Sequence, residues 1–271
     1  MTTLTRQKLA DLFRSFLEYE SVVDQPTSLA AYECDGLSAY RQTPLLVVLP
    51  RTIEEVQKIV LICAEKNVPI VSRGAGTSLS GGALPHADGI VLSLSKMAQI
   101  LNIDVNAQSI TVQPGVRNLA VSEAVKHLGL YYAPDPSSQI ACSIGGNVAE
   151  NAGGVHCLKY GLTLHNVLGV TLVLATGELL VLDQQSLQSQ GYDLLALVIG
   201  SEGMLGIVVE VTLKLLPIPQ CAQALLAVFD DVEKAGNSVA SIISGGIIPA
   251  GVEMMDNPAI RAAEAFVHAG Y

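Results

Sequence analysis

No apolar run in the 271-residue chain reaches the roughly 18 residues that a membrane-spanning helix needs, so no spanning helix is expected. Charge is also scarce, 15% of residues against 50% hydrophobic, which excludes a disordered chain and implies a compact one. Cations are the rarer sign: 15 Lys and Arg stand against 25 Asp and Glu, a net charge of −10, and the cations are scattered singly. That balance excludes a basic face for nucleic acid or for acidic lipid. The five cysteines (Cys34, Cys63, Cys142, Cys157 and Cys221) are odd in number and form no C-x-x-C pair. They fit reduced thiols, not a disulfide framework or a zinc knuckle. Residues 5–19 alternate charged and apolar side chains, so no secretory signal is expected and a cytoplasmic location is.

What the chain has in abundance is glycine, 24 residues, much of it gathered into loops. The densest stretch is Arg73-Gly74-Ala75-Gly76-Thr77-Ser78-Leu79-Ser80-Gly81-Gly82-Ala83, entered from the apolar run Val68-Pro69-Ile70-Val71. Glycines let a ligand approach backbone amides closely, and successive amides in such turns form an anion nest. The hydroxyls of Thr77, Ser78 and Ser80 add donors, and Arg73 places one cation at the entrance. The stretch reads as a diphosphate cradle; taken alone, a Gly/Ser surface loop explains it equally well. Its spacing excludes three familiar motifs. A dinucleotide fold needs G-x-G-x-x-G, but Leu79 follows Gly74 and Gly76 at the third position. A triphosphate P-loop needs a Gly-Lys pair that is absent here. A G-x-S-x-G nucleophile elbow fails because Ser80 stands where the last glycine belongs.

Along the chain, Leu9, Leu12, Phe13, Phe16 and Leu17 place an amphipathic helix over residues 5–19. A buried strand is expected over 45–49, then a helix over 53–66 started by a Thr52/Glu55 capping box, then a strand over 68–71. Short strands follow at 89–93, 100–104 and 109–112. A helix over 119–128 is bounded by Asn118 as N-cap and Gly129 as C-cap. Residues 131–161 show little periodicity. A hairpin is expected at 167–175 and 178–182 around Thr176-Gly177, with further strands at 196–199 and 205–215. Beyond Pro219, one strand (222–229) and two helices (232–244 and 258–268, with an Asn257-Pro258 start) follow. The pattern is α+β, without the strict alternation of a doubly wound sheet. One strand and two helices cannot form a stable layer alone, so the tail is expected to open a second domain not completed within 271 residues.

Three further segments carry chemistry: Ala133-Pro134-Asp135-Pro136-Ser137-Ser138, Ser143-Ile144-Gly145-Gly146-Asn147-Val148-Ala149-Glu150-Asn151-Ala152-Gly153-Gly154, and Gly200-Ser201-Glu202-Gly203-Met204-Leu205-Gly206-Ile207. With the first loop and Tyr160-Gly161, this ordered set resembles the FAD-binding (PCMH-type) domain of vanillyl-alcohol-oxidase-type FAD-linked oxidases. Within that superfamily the likeness is to flavin subunits of glycolate oxidase and to D-lactate and D-2-hydroxyglutarate dehydrogenases. It covers residues 40–219, and Gly251-Val252-Glu253-Met254-Met255-Asp256 resembles the opening of the family's cap domain.

The resemblance implies an N-terminal helical segment (1–40) and an FAD-binding domain (41–219) made of a small β-α-β part and a larger mixed-sheet part. The beginning of a ferredoxin-like α/β cap (220–271) would follow. It implies that Arg73, Gly74, Ala75, Gly76, Thr77 and Ser78 hold the FAD pyrophosphate. Pro134, Asp135, Ser137, Ser138, Cys142, Gly145, Gly146, Asn147, Gly153 and Gly154 would line the flavin and ribityl chain. Tyr160, Gly161, Glu202, Gly203 and Ile207 would contact the rest of the dinucleotide. Members that attach FAD covalently through the first loop carry a His there; Thr77-Ser78 stand in its place, so FAD is expected to be non-covalent, with Cys142 and Cys157 the remaining attachment candidates. The implied reaction is oxidation of a small 2-hydroxy acid (glycolate or D-lactate) to the 2-oxo acid by hydride transfer to flavin. Iron–sulfur and second flavin subunits are the implied partners, through which membrane association would arise. The family's base, substrate cations and metal-binding histidines belong to the cap, so no catalytic side chain and no metal ligand is assigned within the chain. A non-catalytic FAD-binding scaffold subunit and a related NADPH-dependent flavin reductase stay open. His156, Cys157 and His165 lack the spacing of a zinc site, Cys63 reads as core, and Asp230 and Asp231 read as helix caps.

Overall fold

The computed structural model describes residues 6–183 and 191–270. It begins with α1 (Arg6–Arg14), β1 (Val22–Val23), the short helix α2 (Pro26–Leu29) and β2 (Leu46–Val48). Helix α3 (Ile53–Lys66), β3 (Ile70–Arg73) and β4 (Ile90–Ser93) follow. The four strands form one sheet in the order β1-β2-β4-β3, in which β4 runs parallel to both β2 and β3. Parallel strands need a crossover, and α3 supplies it. Thr52 Oγ1 accepts the Glu55 N–H at 3.2 Å, while the Glu55 carboxylate reaches back to the Arg51 N–H at 2.6 Å, one residue beyond the expected box partner. Asn67, in the left-handed region at φ 53°, ends the helix. Val56, Ile59, Val60 and Cys63 form its buried stripe.

The larger sheet comes next: β5 (Ile100–Asp104), β6 (Ser109–Val112), α4 (Asn118–Val125), the two-residue β7 (Leu130–Tyr131), α5 (Ile144–Glu150), α6 (Cys157–Tyr160), α7 (Thr163–Asn166), β8 (Val167–Val173), β9 (Leu179–Asp183), α8 (Leu194–Val198), β10 (Ile207–Lys214) and β11 (Leu216–Pro217). Its five strands are antiparallel in the order β5-β6-β10-β8-β9, and β7 pairs with β11 apart from them. Strand β10 ties the two halves together. Val208, Val211 and Leu213 point into the core under α4 and α5, while Ile207 and Val209 point into the core shared by α1, α3 and the parallel sheet. A strand buried on both faces reads as an unbroken apolar run, as Ile207-Val208-Val209 does. Gln57 Nε2 on α3 donates to the Gly177 carbonyl at 2.7 Å and fastens the β8–β9 turn to the small sheet. The tail holds α9 (Val232–Ser244) and α10 (Asn257–Val267).

Several expectations change. The first helix stops at Arg14, and residue 5 lies outside the described residues. Asn118 does not cap α4. Its N–H and that of Leu119 donate to the carbonyls of Cys142 (3.0 Å) and Gln139 (3.1 Å), so neighbouring chain satisfies the helix start and frees the Asn118 side chain. Residues 196–198 belong to helix α8, with Ile199 as its extended C-cap, because Asp193 Oδ1 accepts the Ala196 N–H at 2.9 Å; a short apolar run cannot by itself choose between helix and strand. Residues 222–229 form no strand, for no described strand runs beside them, and Leu225, Leu226 and Val228 are exposed. Asp256, not Asn257, caps α10, accepting the Ala259 N–H at 2.9 Å. Residues 144–150, expected to be irregular, are helical.

The first helix is anchored electrostatically as well as by packing. Arg14 meets Asp24 at 2.9 Å, both side chains largely buried, and a second nitrogen of Arg14 donates to the Val22 carbonyl at 3.2 Å. The hydrogen bond from Arg14 holds the Asp24 carboxyl below its ordinary range. A folded-state pKa below the unfolded one contributes stability that is present above the unfolded value and lost as pH falls through the folded one. Asp24→Asn is therefore expected to lower stability at pH 7 by about 1.5–3 kcal/mol. The deficit should shrink as pH falls through and below the ordinary carboxylate range, which urea denaturation of both proteins at pH 7 and about pH 3 measures. An equal deficit at both pH values would contradict this account.

Candidate functional site

Strand β3 ends at Arg73, and the chain turns at once into the glycine loop, at the carboxyl end of the parallel sheet, where ligands bind in open α/β sheets. Facing the loop across a cleft of about 330 Å³ is α5. The walls are residues 72–80, Gly82 and Ala83 on one side. Ser138, Cys142, Ser143, Gly145, Gly146, Asn147, Ala149 and Glu150 line the other, and Ser201, Glu202, Gly203, Gly206 and Val208 close the end. The volume falls within the range of small-molecule sites.

Two glycines make this approach geometrically feasible. A Cβ on Gly74 would collide with Ser143 Oγ, the N-cap of α5, with the Gly146 nitrogen 3.5 Å away. Gly76 has φ 71°, a left-handed conformation that side chains disfavour, and a Cβ there would overlap the Arg73 guanidinium. Among the described residues, the backbone N–H groups of residues 74–79 donate no hydrogen bond within the protein. These amides are exposed or half-buried, and a consecutive run of open donors at the lip of a cleft fits an anionic ligand with several oxygens. The residues present therefore fit a diphosphate group.

At the other end, α5 is capped by Asn151 (φ 50°), and two of its last carbonyls are taken up by the distant 200–202 turn. Gly200 N–H donates to Val148 at 2.8 Å and Glu202 N–H to Ala149 at 2.9 Å. Glu202 is held at φ 53°, an uncommon conformation for a non-glycine residue. Its carboxylate and that of Glu150 converge on Gly82, where a Cβ would lie 3.0 Å from Glu150 Oε1 and 3.3 Å from Glu202 Oε2. The cleft is thus amide-rich at one lip and acidic at another.

The structure brings together Arg73, Gly74, Ala75, Gly76, Thr77, Ser78, Ser138, Cys142, Gly145, Gly146, Asn147, Glu202 and Gly203. Pro134, Asp135, Ser137, Gly153, Gly154 and Gly161 stand outside the cleft lining. Pro134 offers its carbonyl to Asn118 Nδ2 at 3.0 Å, and the same nitrogen donates to Asn147 Oδ1 at 2.9 Å. Asp135 is taken up by His156, Nδ1 to Oδ2 at 2.6 Å, and Gly154 packs against the Asp135 backbone. Gly161 abuts the His165 ring, and Gly153 faces Leu162 and Cys157. Apart from the exposed Ser137, these residues join the wall segments to each other behind the surface. Ile207 lines a second, apolar hollow of about 270 Å³ with Val60, Val68, Ile70 and Val173, which shares Ser72, Gly203 and Gly206 with the cleft. Ser72, Pro114, Pro136, Ser143, Glu150 and Ser201 line the cleft without having been singled out for it. Ser143 carried a signal, a hydroxyl three residues before Gly146 at a helix start; Pro114, distant in sequence, carried none.

Among the described residues, no group of three His, Cys, Asp or Glu side chains is placed to hold a metal ion. All five cysteines are free thiols. Burial pushes the Cys63 thiol up to about 12, as befits a core residue. Cys142 is buried with its sulfur 3.4 Å from Asn147 Nδ2.

Comparison with known proteins places this architecture. Residues 44–183 match the family described as FAD binding domain, and residues 218–270 match FAD linked oxidases, C-terminal domain. The chain belongs to the FAD binding domain family, and FAD is accordingly its cofactor. It is 63% identical over 240 residues to glycolate oxidase subunit GlcD of Escherichia coli strain K12, covering 89% of this chain and 48% of that protein. Against glycolate oxidase subunit GlcD of Bacillus subtilis strain 168 it is 42% identical over 252 residues, 93% of this chain and 54% of the other. A D-lactate dehydrogenase of Anaerostipes hadrus is 37% identical over 235 residues, 86% and 49%. The chain spans about half the length of these relatives. A solved alkyldihydroxyacetonephosphate synthase shares the fold over 90% of this chain and 47% of its own, with a TM-score of 0.79 at 23% identity.

The Gly74 contact is testable. Gly74→Ala should destabilise the protein by about 1–3 kcal/mol through overpacking. Ser143→Ala alone should cost about 1 kcal/mol as a lost cap. Removing Ser143 Oγ removes the collision, so the double variant should be close to Ser143→Ala alone, a strongly sub-additive cycle in denaturant unfolding. Additive losses would show that the two segments do not touch.

Proposed function

We propose that the cleft holds FAD without a covalent bond, its diphosphate on the N–H groups of residues 74–79. The observation that carries this reading is that unpaired run of amides, opposite α5, in a chain whose net charge of −10 would otherwise repel a diphosphate. The wall formed by Ser138, Cys142 and Gly145–Asn147 would face the flavin. Small residues there admit a planar group, and Asn118 and Asp135 fix the wall from behind. Ser72, Gly203 and Gly206 would pass the dinucleotide into the apolar hollow, where Ile207 and its neighbours suit the adenosine end. Thr77 and Ser78 offer no nucleophilic imidazole for attachment.

Bound FAD would supply two-electron oxidation chemistry. The relatives named as glycolate oxidase subunits and D-lactate dehydrogenase favour a small 2-hydroxy acid as substrate, with glycolate first. The word subunit in those names favours a multi-subunit oxidase, with iron–sulfur and second flavin subunits as the partners we expect and the cytoplasm as its site. Residues 41–219 would form the FAD-binding domain and 220–271 the start of the cap. No side chain of the cleft is assigned as the base. Glu150 and Glu202 are the acids nearest to it, and their place beside Gly82 is explained by docking of the 200–203 turn on α5.

The purified protein should show oxidised-flavin absorption, or acquire it on incubation with FAD, and acid precipitation should leave all flavin in the supernatant. A protein that never takes up FAD would refute the site assignment; flavin retained in the precipitate would refute the non-covalent bond. Bleaching of the flavin by glycolate in the assembled oxidase tests the substrate.

A further inference from the structure

A cation at the mouth of an anion cradle invites reading as a phosphate ligand, yet Arg73 is directed elsewhere. Its Nη1 donates to the Cys34 carbonyl at 2.8 Å, its guanidinium carbon lies 5.6 Å from the centre of the Tyr32 ring, and the residue is only 9% exposed. The guanidinium occupies the space that a Cβ on Gly76 would enter, so it fills the underside of the loop. One turn further along, Gly36 lies beneath the Thr77 and Ser78 carbonyls, with no room for a Cβ. Asp35, 6% exposed, accepts the Leu37 N–H through Oδ1 at 2.9 Å, while Oδ2 has no hydrogen-bond partner among the described residues. Burial holds the Arg73 guanidinium below its ordinary range, and the negative charge of Asp35 opposes this without forming an ion pair within 4 Å.

We propose that Arg73 is a positioning residue: it pins the underside of the glycine loop to the Tyr32–Leu37 segment, so that the N–H groups of residues 74–79 turn outward to the cleft. The segment before β2 thereby becomes part of the binding site without touching the ligand. The proposal rests on the FAD reading only for the identity of that ligand. A planar guanidinium can bond a carbonyl, lie over a ring and fill a flat gap at once; an ammonium cannot. This separates positioning from simple charge. If Arg73 serves as a phosphate cation, Arg73→Lys keeps the function and Arg73→Gln loses it. If it positions the loop, both lose it alike.

The experiment compares wild type, Arg73→Lys and Arg73→Gln by FAD titration, and by iodoacetamide alkylation of Cys34 in FAD-free protein, resolved from the other four cysteines by peptide mass spectrometry. Both variants should bind FAD about tenfold or more weakly, the change expected for one lost hydrogen bond to a charged group. Both should also alkylate Cys34 several-fold faster, because residues 32–37 are released. Normal FAD affinity in Arg73→Lys with a loss in Arg73→Gln would overturn the proposal, as would an unchanged Cys34 rate. If no form takes up FAD, the cofactor reading fails by itself, and the Cys34 rate alone decides the brace. If either variant fails to fold, Tyr32→Leu, which removes only the ring under the guanidinium, should reproduce both changes in milder form; no change there would sink the idea.

Discussion

Everything in the cleft depends on one steric condition: the loop after β3 meets the first turn of α5 at the Ser143 hydroxyl, so closely that Gly74 has no room for a Cβ. The two segments belong to different sheets. Their contact sets the width of the cleft, brings the unpaired N–H groups of the loop opposite the small residues of α5, and leaves no room for a side chain that would compete with a ligand for those donors. Close packing makes such a contact unforgiving, since a single methyl has nowhere to go.

Holding two sheets at that separation requires a rigid connection, and β10 provides it. Its alternate side chains enter two different cores, so neither sheet can shift without opening one of them. The Gln57–Gly177 hydrogen bond adds a second tie between α3 and the β8–β9 turn. On the cleft's far side the turn at 200–203 takes up the last carbonyls of α5, which explains why Glu202 tolerates a left-handed backbone: its N–H has a partner there and its neighbour Gly203 continues the turn. Strain at one residue is offset by satisfaction of a helix end. The polar links behind the wall, Asn118 to Pro134 and Asn147, and Asp135 to His156, serve the same purpose, converting loops with little periodicity into a surface of fixed shape.

Helix α3 was legible residue by residue, because an apolar stripe, an N-cap hydroxyl and a left-handed Asn mark a helix through interactions that are all local. The glycine-rich segments were legible for a similar reason: positive φ and close approach impose residue types. Strands β2, β3 and β4 were visible in the sequence, but β1 was not, nor the order with β4 inserted between β2 and β3, since no local property of residues 90–93 says which neighbours they will have. Helix α5 was hidden because Gly145 and Gly146 are poor helix formers, and it stands by packing and by borrowed hydrogen bonds at both ends. Residues 196–199 and 222–229 were apolar runs whose state was settled by a cap in one case and by the lack of a neighbouring strand in the other.

The sequence by itself determined where bare backbone gathers, in the glycines of residues 74–82 and 145–154, and it determined the local elements whose caps and stripes are complete within one turn. Tertiary structure alone decided which of those glycines face the cleft and which, like Gly153, Gly154 and Gly161, face other protein. It also decided the direction of Arg73. A residue's type fixes what it can bond, but whether a guanidinium points up into a cradle or down to the carbonyl of Cys34 is set by a segment 39 positions earlier in the chain, and sequence spacing carries no trace of that contact.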